Sequence, residues 1–377
     1  MPGSAKGGPT ADRRSVLALL GAGPFCLALS AGGAAAAPAP DDGKPLTIRM
    51  GQGDKAMSSV VIARLIPEYL GYYRQEGLKG EVLSLGSNAA VMAGLHSGRL
   101  EFGQGTAQDQ LLRMSRGETL PGINFFEHVY PFKYAFAVRP GSPLKTLQDL
   151  RGKRIGLSSF GNSTSNVARR VLTFLHIDPD KDVSWLAVGE GISSGVALAR
   201  GDVDALVYDD VGFGQLEAAR IKLRYLPLPA NLPKIGGTFL STTPEMLKDH
   251  RQVAVGMARA ILKGEIFIQE NPAAACYIFL KMAPEVAPHD LPLKDQIHEI
   301  EVAVRKRAPL YSPYDKTKKW GYMSAREWQD EIDFAGVRGK ITDAQLAALY
   351  TNALIDDIND FDWDKVRHDA RNFKIPA

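Results

Sequence analysis

A strand, turn, helix, glycine and strand recur in the same order at two places in this chain, and that repetition constrains the fold more than any other feature. The segment Val82–Gly86 (VLSLG) is matched by Trp185–Gly189 (WLAVG), and Leu95–Glu101 (LHSGRLE) by Leu198–Asp204 (LARGDVD). Gly86 and Gly189 stand 103 positions apart, as do Leu95 and Leu198. Gly98 and Gly201 suit left-handed helix caps, and the acidic residue after each opens the next strand. Two lobes of one topology follow. Chance similarity between two units of a common motif is the competing explanation.

The rest of the chain fits that frame. Short β-type runs at 47–50, 81–85, 101–103, 123–126, 154–157, 183–188 and 205–208 alternate with helical stretches at 89–97, 108–116, 164–176, 193–200 and 251–269. Pro67 is expected to start a separate helical segment running to Arg74. Such alternation predicts an α/β class with a largely parallel sheet covered by helices.

The first residues are read as an export signal. A basic region ending in Arg13-Arg14 runs into the apolar stretch Val16 to Leu29, and Ala34-Ala35-Ala36 offers a cleavage site. We assign residues 1–36 to a signal peptide of twin-arginine type, cleaved after Ala36, and 37–45 to a disordered leader. Cys26 lacks the lipobox context, because Phe25 stands where a small residue belongs. Cleavage leaves Cys276 alone, so no intramolecular disulfide can form. It also removes Lys6, Asp12, Arg13 and Arg14, taking the formal charge from +3 to +1. Nothing in that balance points to a nucleic-acid partner. No later apolar run approaches membrane-spanning length, and the mature chain is expected to be soluble, outside the inner membrane.

In doubly wound sheets ligands bind beyond the carboxyl ends of the strands. Two facing lobes therefore place the loops 52–59, 87–88, 104–106, 158–164, 189–194 and 209–210 around one cleft. These loops are dense in Gly, Ser, Thr, Asn and Gln, which predicts a largely neutral, reversible pocket. Ser158 to Thr164 lies between a strand and a helix, where exposed N–H groups attract an anionic or strongly polar oxygen. Ser163 and Thr164 are candidates for ligand contact, with N-capping as the alternative role. Asp209-Asp210, with Asp54 and Glu190, would suit an amine or ring N–H, although solvated carboxylates at strand ends are common.

Four landmarks resemble the nitrate/sulfonate/taurine-type solute-binding proteins of ABC transporters, the group that also contains binders of thiamine-pyrimidine precursors. They are Gly71 to Leu78 (GYYRQEGL), the passage Leu95 to Phe102, Tyr134 to Val138 followed by Leu144 to Gly156, and Ile177 to Val183 (IDPDKDV). The resemblance implies the type II periplasmic-binding fold, with crossings near 133–140 and 236–242. It places lobe one at 46–136 plus 238–377 and lobe two at 137–237, with hinge closure around ligand. It further implies an extracytoplasmic binding protein without cofactor, metal or catalytic residue. Such a protein would be a monomer that captures a small solute, by family default a sulfonate or related organic anion. It would deliver that solute to an ABC permease with a separate ATPase. Pocket positions carried over are Asp54, Ser58, Ser87, Gln104, Thr106, Phe132, Ser159, Asn162, Ser163, Thr164, Glu190 and Asp209.

Other functions remain open on sequence alone. Gly191 to Gly195 (GISSG) satisfies the G-x-S-x-G pattern, making Ser193 a candidate nucleophile of an exported hydrolase, although no partner His is singled out. Gly51, Gly53 and Ala56 mimic a dinucleotide fingerprint, but the second strand ends in Gly86-Ser87, with no acidic residue for a ribose. No Cys/His spacing suggests a metal, and no P-loop is present. A binding protein serving a sensor is also compatible with the chain. The C-terminal region, with Trp320, Tyr322, Trp328 and the acids Asp356, Asp357 and Asp360, is expected to pack over lobe one.

Overall fold

The computed structural model describes residues 44–131, 133–160, 163–233, 235–287, 290–313 and 316–376. The proposed signal and most of the leader lie outside them. Among the described residues ten strands form two five-stranded sheets. The first has the order β2 (Leu78–Ser84), β1 (Leu46–Gln52), β3 (Phe102–Gly105), β10 (Thr238–Thr242), β4 (Ile123–Val129). The second has the order β7 (Ser184–Ala187), β6 (Arg154–Leu157), β8 (Ala205–Asp209), β5 (Tyr134–Val138), β9 (Arg224–Leu226).

The two orders are one pattern used twice. In each sheet three strands run parallel in the order second, first, third, and an antiparallel strand then separates the third from the last. The sheets are therefore mixed rather than largely parallel. The alternation in sequence does not reveal β5 and β10, because each is a short segment whose partners lie far away in the chain. The chain passes from the first sheet to the second between β4 and β5, and returns between β9 and β10.

The repeated sequence unit has a repeated physical basis. Arg49 on β1 donates its backbone N–H at 2.8 Å and its Nε–H at 3.0 Å to Glu101, and its Nη2 to the Gly98 carbonyl at 3.3 Å. Arg154 on β6 does the same to Asp204, at 2.9 and 3.2 Å, and to the Gly201 carbonyl at 2.8 Å. Each arginine thus ties the end of a helix to the strand that follows it. Gly98 and Gly201 have φ of +68° and +83°, the left-handed conformation expected of their capping positions.

Helices Asn88–His96, Ala107–Met114, Ser163–Phe174, Ile192–Arg200 and Arg251–Glu270 fall within two residues of their expected limits. Pro67 departs from expectation. It lies inside the helix Ile62–Tyr69, and Gly71, in the left-handed region at φ +73°, separates that helix from the turn Tyr72–Gln75. Proline removes the N–H that would serve the Ala63 carbonyl. The neighbouring helix tolerates this because Gly264 presents no side chain there: a Cβ at Gly264 would lie 2.9 Å from the Ala63 oxygen and 3.0 Å from the Pro67 ring.

The C-terminal region does not confine itself to the first sheet. Helix Leu293–Arg307 runs against helix Asp210–Ala218, which lies between β8 and β9 of the second sheet. Gly214 packs so closely on it that a Cβ would meet Ala303 Cα at 2.3 Å. Arg307, 1 % exposed, donates Nε and Nη2 to Asp210 at 2.6 Å each. Arg170 reaches the Phe334 carbonyl at 2.8 Å, and Trp328 stacks between Phe239 of β10 and Tyr350. Among the described residues no helix is long and apolar enough to cross a membrane.

Candidate functional site

The carboxyl ends of β1, β3, β6 and β8 and the amino ends of the antiparallel β5 and β10 converge on one cavity of about 270 Å³. Both sheets contribute to it. Of the expected site residues, Asp54, Ser58, Gln104, Thr106, Ser163, Thr164, Glu190 and Asp209 line it. Ser87 and Ser159 do not: Ser87 instead caps helix Asn88–His96 by accepting from the Ala90 N–H at 3.2 Å. Phe132 and Asn162 lie outside the described residues.

Local chemistry fixes each wall. Ser58 caps the short turn Ser59–Val61, which delays the next helix to Ile62. The nine residues between Gln52 and Ile62 rule out the strand-to-helix turn required of a dinucleotide fingerprint. Ser163 does not use its hydroxyl as a helix cap but shares a hydrogen bond of 2.6 Å with the Tyr134 hydroxyl. Asp209 caps helix Asp210–Ala218 by accepting from the Gly212 N–H at 2.6 Å. Gly191, at φ +64°, turns its N–H onto the Tyr208 hydroxyl at 2.8 Å, closing one side. Asp109 receives hydrogen bonds of 2.5 Å from Asn88 and 2.6 Å from Asn166, bridging helices that flank different sheets.

Gln52 and Asn88, on two of the loops expected around the cleft, face the cavity; Tyr134, Tyr208, Gln215 and Thr238, which were not foreseen, also do, as does Lys133, only 8 % exposed. Burial draws the Lys133 ammonium down to a pKa of about 8, with Arg307 acting in the same direction and Asp209, Asp210 and Asp54 opposing. Burial, then the Asp54 charge, raises the Glu190 carboxyl above its ordinary value. Asp209 is raised by burial and by Asp210. The lining therefore combines four charged groups, Asp54, Lys133, Glu190 and Asp209, with the neutral polar residues expected. The chain position of Lys133, at the first crossing between sheets, is the one signal in the sequence that could have found it.

The motif around Ser193 carries no catalytic geometry. Its hydroxyl is within hydrogen-bonding distance of its own turn, at 3.1 Å from the Val188 carbonyl and 2.9 Å from the Glu190 carbonyl, and Ser193 does not line the cavity. Among the described residues no group of three or more His, Cys, Asp and Glu side chains is placed to hold a metal ion.

A family model described as "NMT1/THI5 like" matches residues 59–275, more than half of the chain. The chain belongs to the NMT1/THI5-like family. No curated protein sequence matches the chain. Solved structures similar to this NMT1/THI5-like protein include one from Bordetella bronchiseptica RB50, 18 % identical with a TM-score of 0.62, covering 83 % of this chain and 96 % of the other. The periplasmic aliphatic sulphonate-binding protein SsuA of Escherichia coli is 16 % identical with a TM-score of 0.59, covering 79 % and 88 %. The ligand-binding component of an ABC-type import system from Staphylococcus aureus is 12 % identical with a TM-score of 0.55, covering 82 % and 98 %. These likenesses show that the fold is that of the periplasmic binding proteins.

Proposed function

We propose that this NMT1/THI5-like protein is the extracytoplasmic solute-binding component of an ABC importer, exported by the signal in residues 1–36. In this reading it captures a small organic solute between lobe one (46–136 and 238–377) and lobe two (137–237), and presents it to the membrane subunits. The observation that carries the reading is a cavity walled by strand ends from both sheets, with two chain crossings at its edge. Bending at those crossings would open and close the cavity. The similar structures from E. coli and S. aureus, described as a sulphonate binder and as part of an ABC import system, support it.

The pocket positions proposed are Asp54, Ser58, Gln104, Thr106, Ser163, Thr164, Glu190 and Asp209, with Lys133 added. A thermal-shift screen of the chain from Ala37 tests the reading, using sulfonates, nitrate, carboxylates, amines and pyrimidines. A ligand that binds only the folded state stabilises it by about 2.7 kcal/mol at a hundred times its dissociation constant. A shift that disappears when Thr164 and Gln104 are changed to Ala supports capture in this cleft. Absence of any shift, joined to turnover of an activated ester, would overturn it.

A further inference from the structure

The charge of the cleft decides what can enter it. Among the described residues, three carboxylates, Asp54, Glu190 and Asp209, and one ammonium, Lys133, line the cavity, a formal sum of −2. Arg64 is fully buried near Asp54 and does not line the cavity, and Lys55 is exposed on the Asp54 loop. A simple organic anion would meet net repulsion from these lining groups, weakened by solvent at Glu190, which is exposed, and offset in part by the buried Arg64 guanidinium near Asp54.

The unpartnered groups around the cavity refine that argument. Among the described residues the Lys133 ammonium, 5.4 Å from the centre of the Tyr134 ring, has no hydrogen-bond or ion-pair partner, although the residue is only 8 % exposed. The Oε1 atoms of Gln52 and Gln104 are buried without a donor. An ammonium that faces the cavity without a protein acceptor, beside amide oxygens without donors, is left for water or a ligand to satisfy. A ligand that offers N–H donors at one end and an oxygen at the other does so.

We propose that the cleft takes a compact organic cation that also carries an oxygen acceptor, its charged nitrogen held among Asp54, Glu190 and Asp209 and its oxygen by Lys133. This rests on the binding-protein reading above and departs from the organic anion expected by family default. A bound cation would also relieve the mutual repulsion that, after burial, raises Glu190.

Isothermal titration of the chain from Ala37 with isosteric pairs isolates the charged nitrogen. 4-Aminobutyrate is compared with pentanoate, and taurine with propanesulfonate; 4-amino-1-butanol supplies a cation with a neutral oxygen. The expected result is binding of at least one ammonium compound, at least tenfold tighter than the methyl isostere of any acid that binds. Glu190→Gln should weaken it at least tenfold while leaving the melting temperature of the free protein unchanged or higher. Lys133→Met should weaken an amino acid more than the amino alcohol. Equal affinity within the pairs, or tighter binding of pentanoate or propanesulfonate, overturns the cation inference and leaves the binding-protein reading standing. No binding by any of the five compounds counts against both.

Discussion

Deleting the Asp210 carboxylate while leaving Arg307 in place should be one of the most damaging single changes outside the hydrophobic core. Arg307 is 1 % exposed and both of its bonds to Asp210 are 2.6 Å long. Burial alone would pull the guanidinium down, but the charge and hydrogen bonds of Asp210 outweigh it and hold Arg307 above its ordinary range. Breaking a buried pair by removing one partner costs about 3–5 kcal/mol. Asp209 remains to attract the stranded cation, so Asp210→Ala should fall near the lower end, about 3 kcal/mol. Arg307→Met should cost less, about 1–2 kcal/mol, because the carboxylate it strands is 12 % exposed and lies in the first turn of a helix, where the N-terminal dipole favours it. The double variant should return to within about 1 kcal/mol of the parent, since replacing both charges removes the desolvation penalty as well as the attraction. Urea unfolding followed by circular dichroism gives all three values. Additive single costs, or an Asp210→Ala cost below about 1 kcal/mol, would show that this contact between helices Leu293–Arg307 and Asp210–Ala218 is incidental.

Three further outcomes are expected. Gly214→Ala should destabilise by about 1–3 kcal/mol, because its Cβ would meet Ala303 backbone at 2.3 Å, and an unchanged melting temperature would refute that packing. Glu127, buried beside Glu327 and Glu331, is held protonated well above its ordinary value, first by burial and then by the Glu327 charge. The unfolded chain ionises this group near pH 4.5 and the folded chain does not, so its contribution is complete below that pH and lost as pH rises towards the folded value. Glu127→Gln should therefore raise the melting temperature more at pH 8 than at pH 5; an equal change at both would refute the protonation. Cys276 is buried and its thiol lies well above the ordinary range through burial, so a disulfide reagent should label the chain from Ala37 only as urea unfolds it, and rapid labelling of the native protein would contradict the packing.

What the sequence disclosed follows from the range over which each contact acts. Helices were legible because their caps and apolar spacing are local, as at Gly98 and Gly201. Pro67 misled because the permissive partner, Gly264, lies almost two hundred positions away. Separation along the chain also hides β5 and β10, whose strand pairings join segments such as Phe239 and Gly105. It also hides the pairing of Arg307 with Asp210, which draws the C-terminal region onto the second sheet. Lys133 has no local signature, and its burial arises only where the chain leaves one sheet for the other.

The repeat itself shows why the fold was easier to read than the site. Its matched residues, Arg49 with Glu101 and Gly98, and Arg154 with Asp204 and Gly201, lie away from the cleft and perform the same task in both sheets. At the cleft end the two copies diverge: after β1 comes a loop bearing Asp54 and Ser58, whereas after β6 comes Ser158 and a helix opening with Ser163 and Thr164. Under the proposed function, divergence there is what an asymmetric ligand would require, since each lobe would meet a different face of it. A symmetric pair of strand-end loops would satisfy the same chemical group twice, and the opposition of Lys133 to Asp54, Glu190 and Asp209 could not arise. The internal symmetry therefore identifies the scaffold, and its loss at the strand ends falls on the residues that line the cavity.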